Sequence, residues 1–211
     1  MTDPTDDGTP LALWRGLFGH GYTTRNRVDP QTRVDWFARL LKGLDLANAV
    51  EAGANRGHNL VAIRQTRPTL PVLGIEPNAT ARAEGACLYP TIPLVDGALP
   101  GLPVTDRFAS LVLTAGVLIH VPPAQYSAAL QDLARVADRY VLLVEYEAET
   151  ETMVRYRETD GLLWKRPFGD DFRAANGKTA WRVRGTGDAT RQDGFDACTY
   201  WLMERVEGAA R

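Results

Sequence analysis

Apolar residues in this chain gather in two kinds of run that take turns. Short continuous runs at residues 46–50, 71–75, 91–95, 108–114 and 139–146 read as strands buried on both faces, as in a parallel sheet. Between them lie stretches with apolar positions at helical spacing. One covers residues 58–67, one runs from a capping Asn78 to Cys87, and one starts at Pro122-Pro123 and reaches Ala137. Upstream, residues 11–18 read as a helix followed by an irregular segment. Pro30 then opens a helix over residues 31–41, with Val34, Phe37, Leu40 and Leu41 on one face. Residues 147–180 are rich in charge and aromatics and less regular. Residues 180–185 and 198–206 read as two more strands, joined by a long polar loop at 186–197. This alternation predicts a single-domain α/β fold: a doubly wound, Rossmann-like sheet of about seven strands, the last two an antiparallel edge pair, with helices on both faces. Residues 1–10 read as a disordered start, 11–45 as a helical lid and cap, and 46–211 as the sheet domain.

Composition narrows the function. With 211 residues the chain is long enough for one full α/β domain and short for two. Its 24 basic and 26 acidic residues give a net charge of −2, which asks for neither nucleic acid nor an anionic membrane. No apolar run reaches bilayer length, and the acidic start carries no signal-peptide pattern, so a soluble cytoplasmic protein is expected. Cys87 and Cys198 lie far apart and read as reduced thiols. His20, His58 and His120 form no metal pattern with them, and no metal is expected.

The candidate chemistry starts at Glu51-Ala52-Gly53-Ala54-Asn55-Arg56-Gly57, between the first strand and its helix. A strand–turn–helix of this kind offers close-approaching backbone and free N–H groups to a small charged cofactor. A dinucleotide fingerprint needs glycine at its middle position, and Asn55 stands there. An acid ending the first strand suits a cation better than a pyrophosphate, as in the α-ammonium of S-adenosyl-L-methionine (SAM). Glu76 closes the second strand, where a carboxylate can accept both ribose hydroxyls. Asp96-Gly97-Ala98 follows the third, where the Asp96 carboxylate can accept from adenine's amine. Ala115-Gly116-Val117 follows the fourth and lets the chain pass close to the sulfonium. All four lie at strand carboxyl ends, where ligands sit on open α/β sheets. An NAD-dependent oxidoreductase and a non-catalytic SAM-binding protein remain as alternatives.

These positions resemble the class I SAM-dependent methyltransferases. Longer strings are more specific: WRGLFGHGYTTRN at 14–26, EAGANRGHNL at 51–60, GIEPN at 74–78, GVLIHVPP at 116–123, RYVLLVEY at 139–146, LLWKRPF at 162–168 and WLMER at 201–205. They are similar to methyltransferases associated with pseudaminic acid biosynthesis gene clusters. The resemblance covers nearly the whole chain past residue 10, and Pro77, inside the GIEPN string, joins Glu76 in the cofactor set. It implies that Tyr22, Arg25 and Asn26 lie over the cofactor as a lid, with Arg25 on the methionine carboxylate. Two departures stand out. Glu147-Ala148-Glu149 replaces the family's Tyr-Asn-Pro, and Pro167 stands where it favours an acid. Both fall where the acceptor is expected, so an amino sugar and a natural-product intermediate fit equally.

Methyl transfer from a sulfonium is an in-line displacement that a dry, well-positioned pocket favours; a base is needed only if the acceptor must lose a proton. His120, after the fourth strand, is the candidate base, or else a residue that shapes its loop. Tyr146 joins it as a catalytic candidate. Arg155, Tyr156, Lys165 and Arg166 place cations beside aromatics, fit for a carboxylate- or phosphate-bearing acceptor, or else form a solvated face paired with Glu149, Glu151 and Glu158. The expected partner is a small-molecule methyl acceptor, bound by a monomer or homodimer.

Overall fold

A computed structural model of the protein describes residues 9–155 and 161–206. Most of the expected disordered start, and Tyr156, lie outside the described residues. The chain begins with α1 (Pro10–Arg15) and α2 (Leu17–Arg25), then a 3-10 turn (Pro30–Arg33) that runs into α3 (Val34–Leu40). Five strands and three helices follow: β1 (Ala49–Ala52), α4 (His58–Thr66), β2 (Val72–Ile75), α5 (Ala79–Leu88), β3 (Leu94–Val95), β4 (Ala109–Ala115), α6 (Pro123–Val136) and β5 (Ala137–Glu145). The last third holds a two-strand ribbon, β6 (Thr152–Met153) and β7 (Trp164–Lys165). After it come α7 (Phe168–Asn176), β8 (Trp181–Ala189) and β9 (Cys198–Arg205).

Seven strands form one sheet in the order β3-β2-β1-β4-β5-β9-β8. The first five are parallel to one another; β9 runs antiparallel to β5, and β8 antiparallel to β9. The Rossmann-like sheet with an antiparallel edge pair is therefore as the sequence predicts. The reason for the continuous apolar runs is visible in the core. Val112, Val141 and Leu143 pack on one side with Leu130 and Leu133 of α6 and Phe172 of α7. Leu111, Leu113, Leu142 and Val144 pack on the other with Phe37 of α3 and Leu60 and Ile63 of α4. Alternate residues thus serve opposite cores, and every position must be apolar.

Four expectations need correction. Helix does not stop at Phe18: Gly16 breaks it in extended backbone (ψ −154°), and α2 restarts at Leu17 and runs to Arg25. Pro10, assigned to the disordered start, is the first residue of α1, capped by Thr9, whose Oγ1 accepts from the Ala12 N–H. The third strand pairs only over Leu94–Val95. The polar loop at 186–197 is shorter than expected, because β8 continues to Ala189; between its two buried ends this edge strand is exposed or half-buried throughout, which hides its length in the sequence.

Helix α7 was not legible either, and its packing is tight. A Cβ on Gly169 would overlap the indole of Trp201. Alanine gains about 1 kcal/mol over glycine inside a helix, whereas overpacking a filled core costs about 1–3 kcal/mol. The rigid ring cannot swing aside, so packing wins. Gly169→Ala is expected to lower the urea midpoint of unfolding even though it favours helix.

Candidate functional site

The strand order reverses between β1 and β4, and ligands on such sheets bind at that switch point, beyond the strand carboxyl ends. A cavity of about 550 Å³ opens there, floored by residues that follow β1, β2, β4 and β5 and walled by α1 and α2.

The Gly turn is shaped by contact as well as by torsion. Gly53 has φ +73°, and a Cβ there would overlap Val117 from the loop after β4. Asn55 takes φ +49°, a left-handed conformation that asparagine tolerates. Its Oδ1 accepts from the Arg56 N–H at 2.9 Å, and its Nδ2 donates to Thr23 Oγ1 at 3.3 Å. Asn55 therefore keeps the turn's geometry while adding a side chain where a dinucleotide site has none.

Two acids flank this turn. Glu76 is buried, and its carboxylate accepts from the backbone N–H groups of Asn55 and Asn78, each at 2.8 Å. Burial raises its pKa against those two bonds. Glu51 is only 1% exposed. Its Oε1 accepts from Asn59 Nδ2 at 2.6 Å, and its Oε2 has no hydrogen-bond partner among the described residues. Burial pushes its pKa up to about 8. A buried carboxylate oxygen without a donor, on a residue that lines a cavity, is a place for a donor or cation supplied from outside.

The α1–α2 wall is tied down by polar bonds. Asn78 Nδ2 donates to the Trp14 carbonyl at 2.8 Å. Arg56 donates to the carbonyls of Thr23 and Asn26, and its Nε reaches Glu84 in α5 at 2.7 Å. Trp14 turns inward, its ring centroid 5.2 Å from Tyr22 and 4.4 Å from His120. Asn26 Nδ2 donates to the Tyr22 hydroxyl at 2.6 Å.

Opposite lies the other side of the same cavity. His120 Nδ1 stands 2.6 Å from the Leu162 carbonyl, which assigns the proton to Nδ1 and leaves Nε2 as the basic nitrogen. Burial lowers its pKa to about 4, so the ring is neutral at pH 7. The Tyr146 hydroxyl donates to Asp196 at 2.6 Å, and burial with this carboxylate raises its pKa. Cys198 also lines the cavity. Burial pushes its thiol up to about 12, so it is not a nucleophile at neutral pH.

The loop that carries His120 is gripped from two sides. The N–H groups of Val117 and Leu118 donate to Glu145 Oε1 at 3.1 and 3.2 Å, while Arg166 donates to the carbonyls of Leu118 and Val121 at 3.1 and 3.0 Å. The Arg166 guanidinium is fully buried, stacked 4.0 Å over Tyr126 and paired with Glu151 at 2.7 Å.

The structure therefore sorts the expected residues. Tyr22, Arg25, Asn26, Glu51, Gly53, Asn55, Glu76, Pro77, Ala98, Ala115, Gly116, Val117, His120, Tyr146 and Lys165 line the one cavity. Asp96 does not. It is exposed and engaged by Arg82 at 2.8 Å and Arg15 at 3.4 Å, and its neighbours Ala98 and Leu99 face the cavity instead. Gly97 packs against Ile75 and Pro103, and Gly57 serves as the left-handed N-cap of α4, with φ +84°. Arg155 is exposed and off the cavity. Alternation along β7 and the residue after it sends Lys165 inward to the cavity and Arg166 to the core, so Arg166 supports the His120 loop rather than a ligand. Arg33, Asn59, Asn78, Phe195 and Asp196 also line the cavity and were missed. Asn59 sits in the first turn after the Gly loop, a signal within reach. Arg33 and Phe195 meet across some 160 positions, and no local pattern marks such a pair.

No family model matches the chain, and no curated protein matches it. Solved structures do. The Burkholderia thailandensis 1,6-didemethyltoxoflavin-N1-methyltransferase, with 1,6-didemethyltoxoflavin and S-adenosylhomocysteine bound, superposes with a TM-score of 0.72 at 15% identity, over 98% of this chain and 92% of that one. Magnesium protoporphyrin IX methyltransferase from Synechocystis PCC 6803 with S-adenosylhomocysteine gives 0.66 at 17% identity, over 92% and 97%. The same enzyme with SAM gives 0.60 at 18% identity, over 96% and 93%. The chain has the Rossmann-like fold of these methyltransferases.

The tautomer and low basicity of His120 can be read directly. In 15N NMR its Nε2 is expected to show the shift of an unprotonated nitrogen from pH 8 down to about pH 5, with protonation centred near pH 4.

Proposed function

We propose that the protein is a SAM-dependent methyltransferase of class I. The observation that carries this reading is the pair of buried acids across the Gly53 turn. Glu51 holds an unpartnered oxygen for the methionine ammonium, and Glu76 keeps lone pairs for the ribose hydroxyls. A Cβ on Gly53 would overlap Val117, so the turn admits no side chain there and keeps its backbone bare beside the cavity. Pro77, Ala98 and Leu99 offer apolar contact to adenine in place of the Asp96 bond expected from sequence. Arg25 lines the cavity without an ion pair among the described residues, which supports its role on the methionine carboxylate. Bound there, SAM would supply an activated methyl group, and similar folds hold SAM or S-adenosylhomocysteine. The bulk of Asn55 argues against the NAD reading; a turnover assay separates an enzyme from a non-catalytic SAM-binding protein.

The acceptor is a small molecule methylated on nitrogen or oxygen. His120 Nε2 and the Tyr146 oxygen both present lone pairs, because their protons are committed to Leu162 and Asp196. They suit an acceptor that brings N–H or O–H donors, with His120 taking the proton it releases. Lys165 adds a cation for a carboxylate or phosphate. An amino sugar or a natural-product intermediate has these groups, in line with the pseudaminic acid-associated resemblance. Residues 11–45 act as lid and cap over the domain at 46–211, in a cytoplasmic monomer or homodimer.

Calorimetric titration with S-adenosylhomocysteine tests the cofactor half. Glu76→Ala is expected to weaken binding tenfold or more, about 1.4 kcal/mol; unchanged affinity would remove the assignment. The acid–ammonium contact also has a pH signature. Glu51 is largely protonated below its raised pKa of about 8 and must lose that proton to receive a cation. Affinity for S-adenosylhomocysteine is therefore expected to rise from pH 6 to pH 8 with proton release, and Glu51→Gln is expected to flatten the rise.

A further inference from the structure

Arg33 is an unusual cation. It is 7% exposed, sits at the end of the 3-10 turn before α3, and burial lowers its pKa. Its guanidinium faces two ways. On one side Nη1 donates to Asn59 Oδ1 at 2.5 Å, which fixes the orientation of the Asn59 amide so that Nδ2 points at Glu51. On the other side Nε and Nη2 both donate to the Gly194 carbonyl, at 3.0 and 2.9 Å, and the guanidinium carbon lies over the Phe195 ring, 4.0 Å from its centroid.

The Gly194 turn is built to receive it. Gly194 takes φ +79°, and a Cβ there would overlap Thr32 Oγ1. The Thr190–Asp193 capping box closes the turn, and Arg39 pins Asp193 at 2.7 Å. The residues that follow, Phe195, Asp196 and Cys198, line the cavity, and Asp196 holds the Tyr146 hydroxyl. An unbroken run of contacts thus joins Glu51, Asn59, Arg33, the Gly194 turn, Asp196 and Tyr146.

We propose that Arg33 is a positioning residue that couples occupancy of the Glu51 side of the cavity to the order of the 194–198 wall on the acceptor side. This rests on the cofactor reading above. The physical cause is electrostatic. In the empty protein Arg33 faces an acid that burial keeps largely protonated. An ammonium at Glu51 Oε2 favours the carboxylate, and Asn59 and Arg33 then share a full negative charge in a poorly solvated interior. A tighter Arg33 holds the Gly194 carbonyl and the Phe195 ring more firmly, so the acceptor wall is completed after the donor side is filled. Lysine cannot replace it, since one ammonium lacks the fork that reaches Asn59 and Gly194 together.

Backbone hydrogen exchange of the full chain, with and without S-adenosylhomocysteine, tests this without knowledge of the acceptor. In the unsubstituted protein the ligand is expected to slow exchange across residues 194–198 about fivefold or more, the lower end of ordinary coupling between sites. In Arg33→Met that slowing is expected to vanish, while residues 53–57 remain protected at saturating ligand. Asn59→Ala serves if Arg33→Met fails to fold, because it leaves the Arg33–Gly194 bonds and cuts only the link to Glu51. The same loss is expected there. Slowing at 194–198 that survives in the folded variants, or that is absent in the unsubstituted protein while 53–57 is protected, overturns the role of Arg33. Absence of protection at 53–57 in the unsubstituted protein overturns the cofactor reading instead.

Discussion

A carboxylate sealed inside a protein costs several kcal/mol unless something answers its charge, and Glu51 is answered only in part. Asn59 satisfies one oxygen and leaves the other without a hydrogen-bond partner among the described residues. Much of the surrounding structure follows from that arrangement. The strand must end at this point for the acid to reach the cavity, the backbone must turn sharply after it, and Arg33 must stay buried beside it although burial disfavours a cation. The sheet sets the constraint, since Glu51 pairs with Gly74 on one side and Leu113 on the other and has no freedom to move away.

The opposite side of the cavity is governed by the loop after β4. Glu145 and Arg166 hold its N–H and C=O groups from two sides, and the Leu162 carbonyl fixes the imidazole. His120 is thus oriented by groups that never face the cavity. The arrangement separates two tasks that the residue types alone confuse: Lys165 and Arg166 are adjacent cations, yet one lines the cavity and the other braces a loop.

The parallel sheet was legible because burial on both faces writes an uninterrupted apolar run, as in Leu111-Val112-Leu113. The floor of the cavity was legible because strand ends carry it: Glu51, Gly53 and Glu76 are marked by position as well as by type. What stayed hidden depends on distant partners. The length of β8 is obscured because it is an edge strand with exposed residues, and α7 is short, with charges on its outer side. Asp96 occupies the expected place in the chain, but Arg15 and Arg82 claim it, and pairing between remote elements leaves no periodic trace. The same holds for Arg33, whose partners lie at positions 59 and 194.

Arg56 is part of the turn that carries the buried acids' neighbours, and it fastens the carbonyls of Thr23 and Asn26 while also gripping Glu84. One buried guanidinium therefore joins the wall over the cavity to the floor beneath it. The wall cannot lift away from the Gly turn without giving up both carbonyl bonds at once, so the position of α2 is set by a side chain that does not itself line the cavity.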